Sequence, residues 1–356
     1  MDRNGKIVQS QDGKLNVRFD EVTHVCIAPT LYPLLQYLLL MDDDIVFHHT
    51  YFFLNEIIPD NVRNRLPHAY LNYFGKKWTE KINRRLKKLR LRFFKYVDYP
   101  FLKKAEIFGY DLPYGSLCIG KRSYNLLPDA PNCLTLNSQY DSAEYIRMQK
   151  KANSLIGKMQ RIVFGDLFVH YLGHNSQCKA IYLTEENTTP VLHGKDVHIQ
   201  SLSSMWDNAS ANKKQFIMSL FDITENDIIL LNSRPNLFFS QPMEKDCGLT
   251  EDEYKMVLSN IFSNYQPNSI TIKTHPRDKF DYAKYFPDIV VFTKSISSQL
   301  LYLMGVTPKK LITITSTAIE GFPESIECDY YGGHVHPKIE RFFGDTYKPK
   351  RNVNYK

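Results

Sequence analysis

The 356-residue sequence predicts an α/β protein built on doubly wound parallel sheets, and three observations predict it. Short β-branched runs with the composition of buried strands alternate with helix-length segments, beginning strand, helix, strand. Several of these runs break into polar residues where the strand would end, the edge at which open α/β sheets bind ligands. The length exceeds one ordinary domain and suits two, while 43% hydrophobic and 23% charged residues are those of a globular chain with a real core.

Taken in order, Val22-Thr-His-Val-Cys-Ile-Ala-Pro29 reads as the first strand, 32–41 as a helix and 45–53 as the next strand, closed by Pro59. Asp42-Asp-Asp44 between them has two readings, carboxylates holding a metal on a nucleotide or a solvated turn. Short strands are expected at 105–110 and 116–120. A further strand at 124–127 breaks at Pro128-Asp129-Ala130-Pro131, and 144–158 is helical. The strand 179–184 closes the first unit, and polar residues 185–214 form a linker, which divides the chain into domains 1–190 and 191–356.

The second unit starts with a strand at 227–231, followed by Leu237-Phe-Phe-Ser-Gln241-Pro242. Thr250 with Glu253 three residues later is a capping box, so 250–265 is a helix. Ser269-Ile-Thr-Ile-Lys273-Thr-His275-Pro276-Arg277-Asp278 and Leu311-Ile-Thr-Ile-Thr-Ser316-Thr317-Ala318 then organise the rest, with a strand at 288–292 and a helix at 297–304 between them. The first strand end offers an imidazole flanked by Lys273 and Arg277. The second offers two hydroxyls before a helix start with unpaired N–H groups. Together they describe a phosphate pocket with an acid beside it. His334-Val-His336-Pro337 repeats the His-Pro dipeptide without a strand before it and reads as a loop.

The net charge of +7 is unevenly placed. The block 76–92, with Lys76 at one end and Arg92 at the other, carries nine basic residues against Glu80, and Trp78, Ile82, Leu86, Leu89 and Phe93 form one helical stripe. Such a helix either docks on an anionic membrane or turns its stripe to the core. Nothing elsewhere supplies a base-reading motif, which argues against nucleic acid. Six scattered cysteines with no C-x-x-C pair read as reduced thiols. The polar start of the chain reads as lacking a signal peptide, and the longest apolar run, 27–41, is too short to span a bilayer.

The ordered set Phe-Phe-Ser-Gln241-Pro242, capped acidic helix, Ile-Lys-Thr-His275-Pro276-Arg277, Tyr-Phe-Pro287 and Ile-Thr-Ser316-Thr317-Ala318 resembles glycosyltransferase family 52 across 230–321. That family includes bacterial sialyltransferases of lipooligosaccharide and capsule. The resemblance implies a GT-B-like architecture of two Rossmann-like domains with a cleft between them, the donor CMP-sialic acid sitting mainly on the second. It also implies inversion without a metal or cofactor and a terminal galactose as glycan acceptor. A cytoplasmic protein, peripheral on the inner face of the membrane, is the separate expectation from the reduced cysteines and the basic block 76–92. His275 would act as acid, with Lys273, Pro276, Gln241, Ser316 and Thr317 around the donor nucleotide and phosphate. The base would be Asp129 or Asp246: related enzymes carry an acidic pair and glycine where this chain has Pro128-Asp129-Ala130. A family member using a UDP-sugar, such as a glucosyltransferase, and a non-catalytic glycan-binding relative are the competing readings.

Overall fold

A computed structural model describes residues 14–72, 78–112, 115–131, 133–134, 142–184, 194–266, 268–344, 349 and 351–356. The chain divides into two compact units, Met1–Leu220 and Phe221–Lys356. Each is an α/β fold around one wholly parallel sheet.

The first unit holds β1 (His24–Ala28), β2 (Thr50–Asn55), β3 (His68–Asn72), β4 (Glu106–Gly109), β5 (Tyr124–Leu126), β6 (Cys178–Leu183) and β7 (Asp196–Ile199). Their order across the sheet is β3-β2-β1-β4-β5-β6-β7. The chain thus winds one way from β1 and then returns to wind the other, leaving a crevice outside the strand ends between β1 and β4. Gly109 ends β4 against β1 at this point: its φ is +147°, and a Cβ there would lie 2.2 Å from the Ile27 carbonyl oxygen. Only glycine allows that approach.

The second unit repeats the plan with β8 (Asn236–Phe239), β9 (Ile270–Lys273), β10 (Val290–Phe292), β11 (Lys310–Thr313), β12 (Glu327–Tyr330) and β13 (Asn354–Tyr355), ordered β10-β9-β8-β11-β12-β13. Its reversal of winding falls between β8 and β11. Phe238, Ile272 and Ile312 from the three central strands are fully buried with Tyr254, Leu258 and Ile261 of the helix Glu251–Phe262. Each such side chain contributes roughly 1.5–3 kcal/mol by leaving water.

Several elements differ from expectation. The apolar run 45–53 splits into a π-helical turn, Ile45–His49, and then β2. Residues 116–120 fall in a short helix, Gly115–Ile119. The run 227–231 is the helix Glu225–Asn232, because Thr224 and Asp227 form a capping box that the β-branched composition hides. The domain boundary falls at Leu220/Phe221 rather than at 190/191. Strand β7 adds to the first sheet, and the helices Leu202–Asn208 and Ala211–Leu220 pack on the helix Leu31–Leu40. Buried Lys213 anchors this return: its Nζ donates to the Met41 carbonyl and lies 3.0 Å from Asp43. Asp44 meanwhile contacts the His48 and His49 rings, so two of the three acids in 42–44 have side-chain partners.

Candidate active site

The register fixes where the chemistry gathers. Lys273, Phe239 and Thr313 form the last paired row across β9, β8 and β11. Two residues beyond that row lie His275, Gln241 and Thr315, all at the carboxyl edge beside the reversal of winding. With adjacent strands about 4.8 Å apart, the two outer tips are separated by roughly 10 Å. The Thr315 hydroxyl donates to Gln241 Oε1 and ties the β8 and β11 tips together.

His275 opens a tight turn that its own sequence builds. The Asp278 amide donates to the His275 carbonyl at 2.9 Å, and Pro276 sits at the second turn position, where its fixed φ is favoured. Proline has no N–H, so the first free amide is that of Arg277, which donates to His275 Nδ1 at 3.0 Å. With Nδ1 accepting, the neutral ring carries its proton on Nε2. Burial, reinforced by the Arg277 and Lys273 charges, pulls the imidazole down to about 4 despite Asp246. The ring is therefore a neutral Nε2–H donor at neutral pH.

A buried chain of hydroxyls holds this turn in place. The His275 amide donates to Ser240 Oγ at 3.0 Å, and Ser240 in turn donates to Asp278 Oδ2. Tyr282 donates to the same carboxylate oxygen at 2.8 Å, and Tyr254 lies 3.0 Å from Tyr282 while donating to the Gln241 carbonyl. Burial raises the Asp278 carboxyl above its ordinary range, against the hydroxyl donors that lower it. Sequence reading assigned no role to Ser240, Asp278 or Tyr282. The first two stand inside the motifs that drew attention, but their mutual contact joins positions 38 residues apart.

The other expected residues take distinct places. Ser316 is buried and accepts the Ala318 amide at 3.2 Å, capping the 3-10 turn Thr317–Gly321, while its own amide donates to Thr313 Oγ1. Thr317 is the exposed member of the pair. Lys273, expected on the donor phosphate, is instead buried; its Nζ donates to the Thr274 carbonyl at 2.6 Å, and burial lowers it to about 8. Pro276 is exposed in the turn. Asp246 receives both guanidinium arms of Arg277 at 2.9 Å. Asp129 lies beyond β5 in the first unit, where Thr30, just past β1, donates to its Oδ1 at 2.7 Å. That contact crosses the ends of β1, β4 and β5. Burial raises the Asp129 carboxyl, with Thr30 opposing.

Two similarly wound parallel units, the second carrying a histidine and hydroxyls on the strand tips around its switch point, are the two Rossmann-like halves of a GT-B fold. Residues 70–339 match Glycosyltransferase family 52, and the chain belongs to that family. An uncharacterized protein of Haemophilus influenzae is 29% identical over 265 residues, covering 73% of this chain and 80% of its own. Among solved structures, a 2,6-sialyltransferase from a Photobacterium species, in complex with CMP and lactose, superposes with a TM-score of 0.59 at 13% identity, over 93% of this chain and 78% of its own. The GT-B domain of the Photobacterium damselae sialyltransferase gives 0.55 at 13% identity, over 93% and 99%. These likenesses establish the fold.

Proposed function

We propose that this glycosyltransferase moves sialic acid from CMP-sialic acid to a terminal galactose of a bacterial lipooligosaccharide or capsule, inverting the anomeric carbon without a metal. The observation that carries the reading is His275, a neutral Nε2–H donor at the carboxyl edge of the second sheet, with β8 alone between its strand and the β11 tip that bears the hydroxyls. In the reaction the bond from anomeric carbon to phosphate oxygen breaks, and CMP leaves with its electron pair. His275 Nε2–H stabilises the charge growing on that oxygen, with Thr317 and the turn capped by Ser316 beside it. The acceptor hydroxyl attacks the opposite face and gives its proton to a carboxylate. Two carboxylates compete for that task. Burial raises the Asp129 carboxyl, which favours it as a proton acceptor. Asp246 shares a unit with His275 and acts on its ring, although Arg277 occupies it. The protein works in the cytoplasm, with the helix Trp78–Phe93 docked on the inner membrane face.

Incubation with CMP-sialic acid and a lactose-type acceptor should yield sialyl-lactose and CMP. Absence of both would overturn the reading. Thermal stabilisation by UDP and not by CMP would reassign the donor. Donor hydrolysis unchanged by His275→Ala would identify a non-catalytic relative. Loss of transfer in Asp129→Asn or in Asp246→Asn assigns the base.

A further inference from the structure

The helix Leu155–Phe164 is amphipathic the wrong way round for a core element. Leu155, Ile156, Met159, Ile162 and Val163 follow helical spacing, and each is 56–77% exposed. The buried position is Gly157, where a Cβ would lie 1.8 Å from the Lys151 carbonyl oxygen of the preceding helix, Ala143–Asn153. An apolar face turned outward on this scale marks an interaction surface.

Its surroundings say what covers it. Phe164 meets Phe93 at 6.1 Å, which joins this helix to the basic helix Trp78–Phe93. On that helix the described side chains begin at Leu86, and Leu86, Leu89 and Phe93 are exposed rather than turned to the core; Leu91 is the residue that packs inward. Residues 78–98 hold eight lysines and arginines against two acids, and 143–164 hold five against one. This local excess surpasses the +7 of the whole chain, so the rest of the molecule balances acidic. The acids near the patch are committed: Asp98 to Arg90, Glu144 to Arg147, Asp166 to Arg161 and His170.

Between the helices Trp78–Phe93 and Ala143–Asn153 lies a cavity of about 320 Å³ lined by Lys88, Arg92, Lys151, Ser116, Phe168 and Tyr171 among others, with three cations and no carboxylate among the described residues. Arg92 stacks on the Phe164 ring at 3.8 Å and its Nε has no hydrogen-bond partner; Lys151 donates to the Phe168 carbonyl. Cations gathered without acids make a receptor for an anion. A second copy of the chain would set this charge against itself.

We propose that Leu155–Phe164 inserts into the headgroup region of an anionic bilayer while the adjoining cavity takes a lipid phosphate between Lys88, Arg92 and Lys151. This deepens the membrane part of the proposed function and rests on it: the basic helix steers, and the second helix anchors.

Flotation of the full chain with phosphatidylcholine vesicles, with and without phosphatidylglycerol, tests it. Binding is expected with phosphatidylglycerol alone and should fade with salt. Ile156→Asp with Ile162→Asp should weaken it at least about tenfold, and Lys88→Gln with Lys151→Gln by a similar factor with a shallower salt dependence. Transfer to a soluble lactose-type acceptor should persist in both variants, which also shows that they fold. If the Ile156/Ile162 variant floats as the parent does, the anchor is wrong while the basic-helix reading stands. If the parent fails to float on anionic vesicles, both fall. A dimer in light scattering that dissolves in the Ile156/Ile162 variant, without flotation, would assign the face to a second copy instead.

Discussion

The two His-Pro dipeptides of this chain make the same local structure and put it to different ends. In each, the imidazole Nδ1 accepts the amide two residues on, from Arg277 at 3.0 Å for His275 and from Lys338 at 3.2 Å for His336. His336 thereby caps the helix Pro337–Phe343, with Pro337 in its first turn, and stands 4.0 Å from Glu253, whose carboxylate Lys338 holds. His275 caps nothing. It stands at the tip of an interior strand, with Ser240 behind it and Arg277 beside it. The motif therefore sets the tautomer, leaving Nε2 as the donor, and the sheet decides where in the fold that donor stands.

The sharpest way to break the comparison is to remove each ring in turn. His275→Ala should lower transfer by roughly 10²–10⁴-fold with stability little changed. His336→Ala should leave kcat within a few-fold and cost about 1 kcal/mol in unfolding free energy, the value of a helix cap. Equal losses of activity would mean that both dipeptides face the substrate.

Next in size is the support behind His275. Ser240→Ala removes the hydroxyl between the His275 amide and the Asp278 carboxylate. A tenfold fall in kcat is expected, on the order of 1–1.5 kcal/mol for a lost buried hydrogen bond. NMR of the imidazole is the second readout, because the titration reports the burial of the ring itself. In the free parent its midpoint should lie near pH 4. Bound CMP should raise it, because an adjacent phosphate favours the cation. The variant, with a looser and wetter turn, should titrate closer to the unfolded value of about 6.5. The linkage sign follows: a depressed native value means that the unfolded chain binds the proton more readily. This group's contribution to stability is complete above about pH 6.5 and is lost as the pH falls through 4.

The smallest effect concerns Asp246. Its pair with Arg277 is half-exposed on the arginine side, so Asp246→Asn should cost no more than about 1 kcal/mol in stability. By removing the charge that opposes Arg277, it should also lower the His275 midpoint further. A rise in that midpoint would contradict the electrostatic account of the site.

Much of this was legible in the sequence because the physics was local. The capping box of Thr250 and Glu253 forms as its spacing demands, with Glu253 accepting the Thr250 amide at 2.7 Å. The strands β9 and β11, the break after each, and the turn at His275-Pro276 follow from β-branched composition and from proline chemistry. Local signals failed where two of them competed. In 225–232 the apolar β-branched run outweighed the cap that makes the segment a helix. Of the expected linker 185–214, residues 185–193 lie outside the described residues; from 196 the chain forms β7, whose four residues are all exposed and which is held by pairing with β6 rather than by burial.

What the sequence by itself determined, then, is the set of strand-ending residues and the tautomer of His275, since each depends on neighbours within three positions. Only the tertiary structure decided that Ser240, His275 and Asp278 form one hydrogen-bonded unit, that Lys273 is buried away from solvent, and that Ile156 and Ile162 face outward. Those facts depend on strand order and on which face of a helix meets another. Strand order is set by the summed burial of many side chains across the fold, a quantity that no short window of sequence contains.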